Sequence, residues 1–358
     1  PATLGIDKGS KDFQLTQFNL SILNSSQTVA SLKLKTDSIF DYTPDELLQK
    51  RDRDKFFHLG DLNISIKPVG SSEWKKYSSS TKRVDVKPIM DKKSLVAANI
   101  SGALGNIPLK VNRYWQNIQG DLVLKFEIKN TTKTKYEIGA LGIPMIFNNN
   151  LDWKNLVTAH MDNVFFDPYI GKDAGYLQVN RLHGNGPSLM VLPYENAGFE
   201  AYNPLNSDPT PRSITFEGFH EWVIHSKAYA ETEWKGVEQW NTPTSTVLKP
   251  GQSKSFAVRF VLAPSIKQIE NELIRQQRPV AVGASGYVLP LNNTAKLFLK
   301  STKAIKNIQS YPADALELSK EQNTANKWAN YTVKGKKWGR ARVDITYANG
   351  SLQTVHYK

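Results

Sequence analysis

Three tryptophans, Trp222, Trp234 and Trp240, fall within nineteen residues and are interleaved with Glu217, Glu221, Glu231, Glu233 and Glu238. Upstream, Tyr169, Asp173 and Tyr176 crowd a second short stretch, and His220 precedes Glu221. Flat aromatic rings stack on the apolar faces of sugar rings. Carboxylates accept hydrogen bonds from sugar hydroxyls or, as a pair, protonate a glycosidic oxygen and activate its attacker. On that chemistry Trp222, Trp234, Trp240, Tyr169, Tyr176 and His220 are candidate substrate-binding residues. Glu221, Glu231, Glu233 and Asp173 are the candidate catalytic carboxylates. The same residue types also suit a core of aromatics beneath a solvated acidic face. Trp234, flanked by Glu233 and Lys235, is expected to be the most exposed of the three indoles, and Trp222, inside a strand-like run, the most buried.

Other chemistries lose their support residue by residue. His220 and His225 stand five apart, whereas a zincin helix needs two histidines four apart. Period-two alternation makes that run a strand and sends the two imidazoles to opposite faces. Gly184-Asn185-Gly186 sits between two strand-like runs, not between a strand and a helix, so it is no dinucleotide fingerprint. There is no nucleophile elbow or EF-hand loop. Cysteine is absent, which removes disulfides, thiolate metal sites and thiol nucleophiles together. No metal site or cofactor is expected.

The elements that must position these residues are strands. Leu122 to Ile128 and Tyr136 to Ile143 alternate with period two, and Tyr176–Leu182 and Ser188–Leu192 flank a Gly-rich turn as a hairpin. Helix signals are few. Thr43-Pro44-Asp45-Glu46 reads as a capped start running to Lys50, and Ser265 with Gln268 as a second start, with Ile266, Ile269 and Leu273 on one face. The expected fold is mainly β: a large antiparallel super-sandwich over residues 1–280, then a small immunoglobulin-like β-sandwich over 281–358. Asn349-Gly350 marks its last hairpin. Trp115 and Trp153 are expected in the core, and Trp338, among Lys336, Lys337 and Arg340, as a surface cation–π partner.

The 358 residues carry a formal charge of +13, and the last 59 hold eleven Lys or Arg against four acids. Such an excess suits an anionic polysaccharide, or a lysine-studded surface that keeps sheet edges from pairing. No nucleic-acid motif accompanies it. No apolar run approaches the roughly 18 residues that span a bilayer. The opening Pro1-Ala2-Thr3-Leu4 reads as a trimmed start, and with no cysteine a secreted or periplasmic location is expected.

A set of longer motifs carries a resemblance. They are Ala2-Thr3-Leu4-Gly5, His58-Leu59-Gly60-Asp61, Gly139-Ala140-Leu141-Gly142-Ile143-Pro144, Asp167-Pro168-Tyr169-Ile170-Gly171, Asp173-Ala174-Gly175-Tyr176, Glu217-Gly218-Phe219, Glu231-Thr232-Glu233-Trp234-Lys235 and Pro243-Thr244-Ser245. Through them the chain resembles a family of secreted carbohydrate-active proteins related to the six-hairpin glycosidases. The resemblance implies a super-sandwich and an immunoglobulin-like domain followed by a toroid of paired helices, which carries most of the catalytic carboxylates. This sequence ends at Lys358, directly after a strand, so the toroid is expected in cis or on a separate chain.

Three readings remain. The chain is the sandwich portion of a polysaccharide-degrading glycoside hydrolase, or a non-catalytic glycan-binding module, or a self-contained hydrolase or lyase. For a lyase, Tyr169, Tyr176 or His220 would be the base.

Overall fold

Alternating apolar residues between polar turns dictate strands, and antiparallel strands are what the chain forms. The structure is a computed structural model and describes residues 4–151, 153–206, 218–321 and 328–358. Three sheets make up the larger body. A four-stranded sheet runs Ser10–Gln14, Phe18–Leu23, Val29–Leu34, Asp37–Asp41. An eight-stranded sheet is ordered Val164–Tyr169, Tyr176–Arg181, Ser188–Glu195, Ser253–Ala263, Asp121–Lys129, Lys110–Ile118, Ser94–Asn99, Lys87–Pro88. The third is ordered Ala201–Pro204, His220–His225, Tyr136–Met145, Asn63–Pro68, Lys75–Ser78, with Thr246–Leu248 pairing alongside Tyr136–Met145.

Leu122, Leu124 and Phe126 lie opposite Phe260, Val258 and Phe256 in the register of the eight-stranded sheet. They share one core with Ile138, Leu141, Ile143, Met145 and Trp222 of the third sheet. Fully burying each such side chain contributes about 1.5–3 kcal/mol. On the other side of the eight-stranded sheet, Met190, Leu192, Val261 and Ala263 are covered by Ile269 and Leu273 of the helix Ile269–Arg275.

The small sandwich packs Val280–Ala284, Thr294–Lys300, Ala329–Gly335 and Leu316–Lys320 against Ile305–Tyr311, Ala341–Tyr347 and Leu352–Tyr357. It has its own core around Leu297, Val333, Val343, Ile345 and Tyr347. The expected last hairpin forms, with Gly350 at φ 83°, a left-handed conformation that glycine adopts at little cost.

The first helix read from the sequence turns out shorter, and the second starts differently. Asp45–Leu47 is one 3-10 turn, and Thr43 bonds Asp41 instead of capping it. The second begins as a 3-10 turn at Ile266–Gln268, with no side-chain cap from Ser265. In both, local backbone bonds replace the expected capping boxes. Trp115 is buried as expected, whereas Trp153 is fully exposed just before the short helix Leu156–Asp162. Trp338 is also exposed, and the cation–π contact of Arg340 goes to Trp240. Among the described residues no helix is long and apolar enough to cross a membrane.

The His58-Leu59-Gly60-Asp61 motif is a buried polar knot. The Asp61 carboxylate accepts from Arg83 Nη1 and Nη2 at 2.7 and 2.6 Å, from the His58 amide at 2.7 Å and from Ser79 Oγ at 2.7 Å. Burial, aided by Arg83 and Arg51, pushes the His58 imidazole down to about 3. It therefore stays neutral in the folded protein while its unfolded counterpart protonates near 6.5. The stability this confers is present above pH 6.5 and is lost as pH falls towards 3. Between pH 7 and pH 4 the loss is on the order of 2–3 kcal/mol. Urea unfolding at the two pH values, in wild type and His58→Gln, checks this. Equal pH slopes in the two proteins would contradict it.

Candidate functional site

Two glycines in the strand Tyr136–Met145 leave room on the outer face of the third sheet, the side away from the main core. A methyl group on Gly142 would lie 2.2 Å from Glu221 Oε2, and one on Gly139 would lie 2.2 Å from the Trp74 ring. Alternation on the strand His220–His225 sends Trp222 into the core and Glu221 outward over Gly142. There the Glu221 carboxylate is fully buried. It accepts from Asn63 Nδ2 at 2.6 Å, Asn203 Nδ2 at 2.9 Å and the Tyr229 hydroxyl at 2.6 Å. These three donors come from two other strands and from a short helix, Lys227–Glu231.

That helix turns the chain back over the sheet. The Trp234 ring stacks on Tyr229, centroids 4.7 Å apart at 26°. Glu231 accepts from Trp74 Nε1 at 2.7 Å and lies 3.6 Å from Lys67 Nζ. Glu233 pairs with Lys76. The result is an open cleft of about 460 Å³ whose lining includes Asn63, Lys76, Asn203, Glu221, Glu233 and Trp234. Trp234 is half-buried, its ring bordering that space.

The two cleft carboxylates are driven in opposite directions. Burial raises Glu221 above the usual carboxylate value, against its three hydrogen bonds, and the charge of Glu233 adds to the rise. Burial also acts upward on Glu233, but the Lys76 ammonium and the Thr232 hydroxyl outweigh it and hold that carboxyl low. Split values of this kind characterise acid and base pairs. Here, though, Glu221 is sealed beneath its donors and Glu233 is neutralised by a lysine. The cleft is better built to bind hydroxyls and stack a ring than to deliver a proton.

The other residues singled out from the sequence are dispersed. Trp222, a candidate platform, is buried, stacked on Phe199 at 3.8 Å and 6°, and its Nε1 donates to the Ala197 carbonyl; no sugar reaches it. His220 stacks on Tyr202 at 4.7 Å, away from the cleft, while His225 bonds Thr244 Oγ1. Tyr169 donates its hydroxyl proton to the Thr354 carbonyl, and Asp173 accepts from the Leu352 amide, so both join the small sandwich to the large one. Tyr176 packs on Tyr169 and on the apolar cluster under the helix Ile269–Arg275. Burial raises both phenols, so neither is a poised base. None of the three residues named as a lyase base lines the cleft. Trp240 lines a separate pocket with Glu238. Glu217 lies outside the described residues.

Asn63, Lys76, Asn203 and Tyr229 were missed by the sequence reading. Asn63, Lys76 and Asn203 are isolated polar residues on strands, a signal every solvated strand shares, and Tyr229 lies on the short helix Lys227–Glu231.

Comparison with solved structures shows the fold of the whole. A polysaccharide lyase superposes with a TM-score of 0.71 at 14% identity, covering 96% of this chain and 46% of its own. The chain thus spans less than half the length of that protein. A galactose mutarotase-like protein from Clostridium acetobutylicum gives a TM-score of 0.46 at 9% identity, over 71% of this chain and 94% of that one. One from Lactobacillus casei gives 0.42 at 13%, over 71% and 100%. No curated protein sequence matches. The model of a family of unknown function, DUF5695, matches residues 21–358, and the chain belongs to that family.

Proposed function

We propose that this chain is the β-sandwich part of a secreted polysaccharide-degrading enzyme, and that the cleft over the third sheet is its glycan-binding wall. One observation carries the reading: the Trp234 ring, stacked on Tyr229, borders the same cleft as the Asn63 and Asn203 amides and the Glu233–Lys76 pair. A ring face beside fixed polar groups is what a sugar needs. The lyase of similar fold supports a polysaccharide as the ligand class.

In this reading the principal catalytic carboxylates lie on a helical toroid partner, in cis or on another chain. The two cleft carboxylates, and Glu231 on the neighbouring helix, support that division of labour. Glu221 is sealed, Glu233 is paired with Lys76, and Glu231 is held by Trp74 and Lys67.

The test is isothermal titration of the purified chain against neutral and acidic polysaccharides, with chromatography of the same samples. Binding without new oligosaccharides is expected. Trp234→Ala should weaken it about thirtyfold, the roughly 2 kcal/mol of a tryptophan hot spot, with a stability loss of about 1 kcal/mol from the lost stack on Tyr229. Release of sugars by the chain alone would overturn the binding-wall reading. Binding indifferent to Trp234→Ala would remove the cleft from it.

A further inference from the structure

A second pocket, of about 250 Å³, opens where the two sandwiches meet. The large sandwich contributes the turn carrying Glu238 and Trp240, and the small one Tyr311, Arg340, Arg342 and His356. Two aromatic rings are displayed here: Trp240 is 46% exposed and Tyr311 61% exposed. Exposed rings at the rim of a pocket that also holds charged side chains mark a binding surface better than a core.

The platform is held in place. Asn241, buried beside Trp240, donates to the Glu200 carbonyl at 2.9 Å and accepts from Thr354 Oγ1 at 2.8 Å. His356 meets the Trp240 ring edge-on at 4.9 Å, its own Nε2 lying 3.1 Å from the Ile170 carbonyl. A platform so fixed loses little freedom when a ligand binds.

The two arginines differ. Arg342 is fork-bonded to Asp344 at 2.5 and 3.0 Å, reaches the Trp240 carbonyl at 3.3 Å and lies over the Tyr311 ring at 4.8 Å. Its charge is already matched. Arg340 lies over the Trp240 ring, 5.0 Å from its centroid, in a cation–π contact, and among the described residues it makes no ion pair. An exposed guanidinium over an indole is a bidentate anion receptor, and the part of the Trp240 ring that stays exposed is left for stacking. The basic excess of the last 59 residues favours approach of a polyanion to this side. Glu238 at the rim opposes an anion directly and suits the hydroxyls of the same ring.

We propose that this junction pocket is a second glycan site, selective for a sugar bearing a carboxylate, with Trp240 as the stacking face and Arg340 as the carboxylate receptor. It rests on the carbohydrate reading of the chain but not on the cleft. Because its walls come from both sandwiches, an occupied site also ties the two together.

The probes are oligogalacturonate and oligomannuronate, with maltohexaose and cellohexaose as neutral controls. They are titrated calorimetrically into the Trp234→Ala chain, so that the cleft is silenced. The uronates are expected to bind and the neutral sugars not. Arg340→Gln and Trp240→Ala should each weaken uronate binding at least tenfold, Arg340→Lys less, and added salt should weaken it further. Unchanged unfolding midpoints exclude misfolding, since both side chains are exposed. Equal binding of neutral sugars, no effect of Arg340→Gln, or no uronate binding at all would each overturn the proposal. Failure of the cleft alone would appear as wild-type binding that Trp234→Ala leaves untouched, with the Arg340 dependence intact.

Discussion

Asp61→Ala should lower the unfolding free energy by about 3–5 kcal/mol, the usual cost of stripping one partner from a buried ion pair. The carboxylate has essentially no exposed surface, and neither has the Arg83 guanidinium that grips it. Burial acts to raise Asp61, but Arg83 outweighs it and holds the group below its ordinary value. It is therefore a charge, and removing it leaves the guanidinium buried without a counterion. The Ser79 hydroxyl and the His58 amide lose their acceptor in the same step. Urea midpoints at pH 7 measure the effect. The double variant Asp61→Leu/Arg83→Met should recover much of the loss, because it buries no unpaired charge. A single-variant loss under about 1 kcal/mol would mean that water reaches the knot and screens the pair.

The second large effect should come from Glu221→Ala. Asn63, Asn203 and Tyr229 would each point a donor at empty space, and an unsatisfied buried donor costs about 1–3 kcal/mol. A stability loss of about 2–4 kcal/mol is expected, allowing for partial relaxation. Tyr229 also supports Trp234, so glycan binding at the cleft should fall more than tenfold. Glu221→Gln keeps the shape but sets an N–H against one of the donors, and should lie between wild type and alanine in both readouts. The comparison with Trp234→Ala separates the roles. Trp234 should move binding far more than stability, while Glu221 should move both strongly. If Glu221→Ala weakens binding without touching stability, the carboxylate contacts the ligand and is not a positioning residue.

Much of the strand framework was legible because period-two alternation is a local property. Leu122 to Ile128 and the Tyr176 hairpin could be read from neighbours alone. The helix starts misled because a capping box is only a preference, and at Thr43 the Asp41 carboxylate took the hydroxyl first. Trp153 misled because an indole in a turn has no periodic context to say which way it faces.

The site divided along the same line. A cysteine-free, strand-rich chain with aromatics and carboxylates gathered between residues 165 and 241 could be read from composition and alternation, which need no distant partner. The strand context of Trp222 already put it in the core, but the fold placed half-buried Trp234 in the cleft and made Trp240, at the junction pocket, the more exposed of the two. Asp173, Glu221 and Glu233 likewise went to a junction, a sealed floor and an ion pair. Their partners, Leu352, Asn63 and Lys76, are more than 150 residues away, so burial and charge pairing were set by contacts that no local window contains.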